Sequence, residues 1–239
     1  MTCIDDILFL NYNNNTNINL ANKRIFYLGG DFMKQFVITI ARGYGSGGRM
    51  LGQALAKELG ISFYDRELLK LASDDSGIHE SLFAQADEIT KKSLLFSVAK
   101  NVYKGQIIPP DRDDFVSNEN LFNYQAKIIK ELAAKESCII VGRCADFILK
   151  DNPNVLRIYV HAPLEKCIDT VVDLGICTHR QAKNHIQTID KRRAAYYHYF
   201  TGNEWHDAAN YDLCLNTAHL DQAQCIELVK SYLTIKFGD

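Results

Sequence analysis

Residues 43 to 50 read Gly-Tyr-Gly-Ser-Gly-Gly-Arg-Met, and this octet has the makings of a phosphate cradle. Glycines let successive backbone N–H groups converge on an anion with no side chain in the way. Gly43 and Gly48 stand at the spacing of the phosphate-binding pattern G-x-x-x-x-G-K-[ST], with Gly45, Ser46 and Gly47 between them. Arg49 takes the place of the lysine, which keeps the charge and adds a planar fork able to chelate two phosphate oxygens. Met50 takes the place of the Ser/Thr that would ligate Mg²⁺, and a thioether is a poor partner for a hard cation. Either Mg²⁺ is then held by water and phosphates alone, or the loop binds a phosphate without the usual metal-dependent chemistry.

Three further clusters carry charge where a phosphate could meet it. Gly142-Arg143 follows the apolar run Cys138 to Val141, so Arg143 is expected just beyond the end of a strand, where ligands of open α/β sheets bind. Asp65-Arg66 follows the short run Ile61 to Tyr64; Asp65 reads equally as a helix N-cap. Lys191-Arg192-Arg193 lies in a long polar helical stretch and reads either as a mobile cationic cluster or as a solvated face. The aromatic run Tyr196-Tyr197-His198-Tyr199-Phe200 that follows favours packing over base stacking. No His or Cys pairs stand at zinc spacing, and no G-x-S-x-G elbow is present, so neither metal-assisted nor serine hydrolysis has support.

The elements that must position these residues alternate. Phe36 to Ala41 is an apolar, β-rich run, and Leu51, Leu55 and Leu59 then mark one face of a helix that stops at Gly60. Further strands are expected at 61–64, 138–141, 155–160 and 212–215. Helices are expected at 67–73, 79–100, 121–135, 163–174, 178–200 and 221–235. Strands alternating with helices predict an α/β fold with a five-stranded parallel sheet covered on both faces. The Pro- and Asp-rich stretch 105–114 predicts a mobile excursion over the sheet edge.

The chain has 239 residues, room for one domain of ordinary size or one with an inserted lobe. Between Asn11 and Asn22 seven of twelve residues are Asn, a composition that cannot offset its ordering entropy by burial. Gly29-Gly30-Asp31 can be encoded by a ribosome-binding sequence placed before Met33. Residues 1–32 are therefore expected to be a disordered leader and 33–239 the domain, with mobile segments near 79–120 and 178–210. A net charge of −2 argues against nucleic acid as a partner, and no apolar run is long enough for a membrane span. Seven cysteines, odd in number and without a C-x-x-C pair, predict reduced thiols in a cytoplasmic protein.

Four stretches together resemble the bacterial cytidylate kinase-like family: Ile40 to Arg49, Phe63-Tyr64-Asp65, Val141 to Asp146, and Asp190 to Tyr197. The resemblance runs from about Phe36 to Leu215. It implies a P-loop fold with a helical lid and phosphoryl transfer from ATP to a nucleoside monophosphate such as CMP or dCMP. Gly43, Gly45, Ser46, Gly47, Gly48 and Arg49 would bind ATP. Asp65, Arg66 and Arg143 would bind the acceptor, and Arg49, Arg192 and Arg193 would act in catalysis. The family's Asp-Gly-Arg-Asp segment has Val141 and Cys144 here in place of its acids. The alternative is a nucleotide-binding or sensing protein of the same fold with little kinase activity, a reading that Arg49 and Met50 favour.

Overall fold

The computed structural model describes residues 18–20, 23–28, 31–86 and 105–238. Its centre is a five-stranded sheet built from β4 (Val37–Arg42), β5 (Ser62–Tyr64), β6 (Cys138–Val141), β7 (Val155–His161) and β8 (Leu213–Asn216). The spatial order is β5-β6-β4-β7-β8, and every neighbouring pair is parallel. The five expected strands are all present within about a residue of their expected ends.

Side chains alternate across the sheet, as the pleat demands. Val37 and Ala41 face one apolar cluster with Cys138, Ile140, Val155 and Tyr159. Ile38 and Ile40 face the other with Ile139, Val141, Leu156 and Ile158. The first cluster is closed by α2 (Glu67–Ser76), α3 (Glu80–Ala86), α4 (Asn118–Lys135), α5 (Ala145–Ile148) and the C-terminal half of α7 (His179–Thr201). The second is closed by α1 (Gly48–Leu59) and α8 (Gln222–Phe237). The result is three layers, helices on both faces of a buried parallel sheet. A smaller cluster joins α6 (Leu164–Asp173) to the start of α7 beyond the C-terminal ends of the strands.

Burial fixes α1. Leu51, Leu55 and Leu59 are 3%, 0% and 6% exposed, and each contributes about 1.5–3 kcal/mol, more than the whole span of ordinary helix propensities. Gly52 lets the helix approach the sheet closely, since a Cβ there would stand 3.0 Å from Ile40 and 3.1 Å from Phe63. Gly60 ends the helix at φ 65°, with its N–H bonded to the Ala56 carbonyl. Capping boxes start α7, through Thr178 and Gln181, and α8, through Asp221 and Gln224.

The 105–117 excursion is pinned by Asn120. Its side chain accepts from the Ile108 N–H at 2.7 Å and donates to the carbonyls of Ile108 and Phe115 at 3.0 and 2.7 Å. Of the helix expected at 79–100, α3 covers the start, and the remainder lies outside the described residues. In the expected leader, β1 (Ile18–Leu20), β2 (Lys23–Leu28) and β3 (Asp31–Lys34) pair antiparallel in a separate three-stranded sheet, and β3 straddles the expected boundary at Met33. The Asn count hides the β-forming run Ile25-Phe26-Tyr27 within β2. The rest of the leader lies outside the described residues.

Candidate active site

The glycine loop leaves β4 at the C-terminal edge of the sheet and opens α1, with Gly45 and Gly47 at φ 79° and 81°. Those angles favour glycine, and space demands it as well. A Cβ on Gly45 would stand 2.7 Å from the Cys167 carbonyl oxygen, and one on Gly48 would stand 2.6 Å from the Arg42 Cβ. The first-turn N–H groups of α1 have no partner within the helix and carry its positive dipole end. The Ser46 hydroxyl is buried in the loop without a hydrogen bond, while the Ser46 carbonyl accepts from the Thr217 hydroxyl at 2.9 Å. An orphaned hydroxyl beside a backbone cradle fits a phosphate oxygen.

Arg49 is half exposed and donates from Nε to Asp65 Oδ2 at 2.6 Å. Asp65 is buried, and its other oxygen lies 3.7 Å from the Arg42 guanidinium. The N-cap of α2 is Arg66, with no side-chain cap bond, so the capping reading of Asp65 does not hold. Its carboxylate is turned to the arginines instead. Arg66 itself is exposed at the rim.

Arg143 lies just past β6, with the Gly142 N–H bonded to the Ile40 carbonyl at 3.0 Å, so this turn stands beside the end of β4. Gly142, Arg143 and Cys144 have φ of 76°, 60° and 55°. Two successive non-glycine residues in the left-handed region cost about 1–3 kcal/mol each, strain of a kind that clusters at functional sites. A Cβ on Gly142 would displace the end of the Arg42 side chain, whose guanidinium lies over it.

Arg193, on α7, binds the loop from the other side. Its Nη1 donates to the Arg42 carbonyl at 2.9 Å and to Asp190 at 3.3 Å, and its guanidinium lies 5.4 Å from the Tyr44 ring centre. Asp190 also accepts from the Tyr44 N–H at 2.8 Å. Arg192 is half-buried and takes no part in these bonds. The aromatic run packs, as its composition favours. Phe200 stacks on Phe122 at 4.1 Å, and the Tyr197 hydroxyl donates to Asp146 at 2.6 Å.

Arg42, Arg49, Arg143 and Arg193 therefore gather around two carboxylates, Asp65 and Asp190. Burial and then the nearby Arg193 guanidinium bring the Arg42 proton affinity down to about 9. Burial lowers those of Arg143 and Arg193 in the same direction. Arg42, Arg143 and Arg193 are half-buried, and Arg49 is half exposed. Arg42 and Asp190 were visible in the sequence without a role. The signals were an arginine ending the central strand directly before the first glycine, and an Asp and Arg three apart on one helix. Among the described residues no group of His, Cys, Asp or Glu gathers to hold a metal, and no helix is long and apolar enough to cross a membrane.

Among solved structures, an uncharacterized protein from Eubacterium ventriosum is 25% identical, with TM-score 0.61 over 83% of this chain and 98% of that one. A shikimate kinase from Bacteroides thetaiotaomicron is 15% identical, with TM-score 0.47 over 84% and 97% of the two chains. A gluconokinase from Sinorhizobium meliloti is 12% identical, with TM-score 0.48 over 84% and 93%. A comparison with curated proteins finds no match. The sequence profile that matches spans residues 37–219, from the central strand through the glycine loop, the Gly142 turn and α7, and by it the chain belongs to the cytidylate kinase-like family.

Proposed function

We propose that this protein transfers a phosphoryl group from ATP to a nucleoside monophosphate, with CMP or dCMP as the acceptor. This reading rests on the convergence of Arg42, Arg49, Arg143 and Arg193 on Asp65 and Asp190 beside the glycine loop. Backbone N–H groups of residues 45–49 hold the donor phosphates. Arg49 exchanges Asp65 for phosphate oxygens and neutralises charge at the donor. Arg143 holds the acceptor phosphate beyond β6, with Asp65 and Arg66 at the same end. Arg42 and Arg193, between the two, oppose the charge spread over the transferring group. Arg192 stands beside them on α7. A phosphate acceptor is already an anion at neutral pH, so no general base is required. Magnesium bound with ATP would add charge neutralisation between phosphates; Met50, 43% exposed, offers it a thioether, so phosphates and water supply the ligands. The supporting experiment incubates the protein with ATP, Mg²⁺ and a panel of monophosphates and follows ADP.

The second reading, a nucleotide-binding protein with little turnover, is favoured by one feature: Arg49 is already committed to Asp65 at 2.6 Å. ATP binding without acceptor-dependent ADP would select it.

A further inference from the structure

A residue other than glycine keeps a left-handed backbone where its surroundings over-determine it. Arg143 and Cys144 stand in that region one after the other, at φ 60° and 55°, so something must hold their turn. In front of it the Gly142 N–H bonds the Ile40 carbonyl at 3.0 Å and fixes where the turn begins. Behind it Asp146 accepts from the Tyr197 hydroxyl of α7 at 2.6 Å, and the two residues are 4% and 3% exposed. A carboxyl buried this deeply is costly unless its hydrogen-bond partners are in place. The bond from Tyr197 is directional, whereas the apolar packing of Cys144 and Ala145 beside it is not.

The same bond closes a circuit around the site. Arg193 precedes Tyr197 by about one turn of α7 and donates to the Arg42 carbonyl at 2.9 Å. Arg42 in turn lays its guanidinium over Gly142. From the end of β4 the path runs through the Gly142–Asp146 turn to Tyr197, along α7 to Arg193, and back to Arg42. The Asp146–Tyr197 bond is the link that fastens the turn to α7.

We propose that Asp146 and Tyr197 are positioning residues for the acceptor: their bond holds the strained turn in shape and so keeps Arg143 in place for the acceptor phosphate. Neither side chain touches the acceptor. Without the bond the turn relaxes towards ordinary backbone and carries Arg143 away from the phosphate. The glycine loop keeps its shape, because Asp190 and Arg193 bond its Tyr44 N–H and the Arg42 carbonyl independently of Tyr197. This inference rests on the reading of Arg143 as the acceptor-phosphate ligand and names what holds that residue there.

The test is equilibrium titration of the full chain with CMP and, separately, with ATP, alongside thermal melts. Wild type is compared with Tyr197→Phe, with Asp146→Asn, and with Asp146→Leu and Tyr197→Phe combined. Tyr197→Phe should weaken CMP about tenfold, the scale of one buried hydrogen bond to a charged group, and leave ATP within about twofold. Asp146→Asn keeps an acceptor for the Tyr197 hydroxyl, so both affinities should stay within about threefold. The combined variant removes both polar partners, and its melting temperature should return towards wild type while CMP affinity stays low. CMP affinity that is unchanged in Tyr197→Phe, that falls in step with ATP affinity, or that recovers with the melting temperature in the combined variant overturns the inference. In each of those cases CMP binding by the wild type leaves the acceptor reading standing. Wild-type protein that binds no CMP overturns that reading, and this inference with it.

Discussion

Arg49 and Asp65, sixteen residues apart, are joined by a 2.6 Å bond that ties the glycine loop to the turn between β5 and α2. Asp65 also faces Arg42 at 3.7 Å, so one carboxylate serves as counter-ion to both arginines. Asp65→Asn should destabilise the fold by about 2 kcal/mol, below the range for a fully buried pair because Arg49 is half exposed. Pyrophosphate should restore much of the loss by supplying the missing negative charge. Thermal melts of both proteins with and without pyrophosphate check this. Equal stabilisation of wild type and variant would show that phosphate does not take the carboxylate's place.

Arg193 and Arg192 should separate in kinetics. Arg193 bonds the Arg42 carbonyl and Asp190, while Arg192 takes no part in those bonds. Arg193→Ala should lower kcat about 10²–10³-fold, the scale of removing one preorganised donor, with a smaller change in KM. Arg192→Ala should change kcat by less than about threefold. The reverse order in steady-state rates would move the catalytic role to Arg192.

Gly45 and Gly77 allow strain and clash to be told apart. Both have positive φ, 79° and 73°, but a Cβ at Gly77 meets nothing within 4 Å and one at Gly45 meets the Cys167 backbone. Gly77→Ala should cost about 1 kcal/mol from the left-handed backbone alone. Gly45→Ala should cost at least about 2 kcal/mol more and should weaken ATP binding, because α6 must shift from the loop. Denaturant melts give the first difference and ATP titration the second.

The layered fold was legible because the strands are short and mostly apolar and several of the helices carry their own boundary signals. Gly60, Thr178 and Asp221 sit at helix ends where their chemistry places them. The glycine loop and Arg143 were legible from their place after apolar runs. Asp65 was ambiguous because an Asp before a helix can cap it or turn away. Only the approach of Arg49 and Arg42 from other elements decides that. The short strands before Lys34 were missed because Asn-rich flanks outweigh a six-residue β-forming run in any composition average.

Asp146 should imprint a pH dependence on stability. Burial raises its carboxyl to about 6, partly offset by the bond from Tyr197. The folded state therefore holds the proton more tightly than the unfolded chain, whose Asp titrates near 3.9. Stability from this group is full below about pH 4 and is lost as pH rises to about 6, on the order of 3 kcal/mol at about 1.4 kcal/mol per unit. Asp212 acts in a separate window. Burial raises its carboxyl, but bonds from Arg157 and Lys236 outweigh this and bring it down to about 2. Its contribution is present above pH 4 and lost only as pH falls towards 2. Asp146→Asn should flatten the stability curve between pH 4 and 6 and leave the acid limb in place. Unfolding free energies across that range decide it, and an unchanged slope would show that Asp146 titrates normally.

Acceptor-dependent phosphoryl transfer at the arginine-lined site can be followed by a coupled ADP assay with ATP, Mg²⁺ and a panel of nucleoside monophosphates. ADP release should require CMP or dCMP, yield the matching diphosphate, and lose about 2–4 kcal/mol of transition-state stabilisation in Arg49→Ala, with partial retention in Arg49→Lys. ATP binding with no acceptor-dependent ADP from any monophosphate, or turnover indifferent to Arg49, would contradict it.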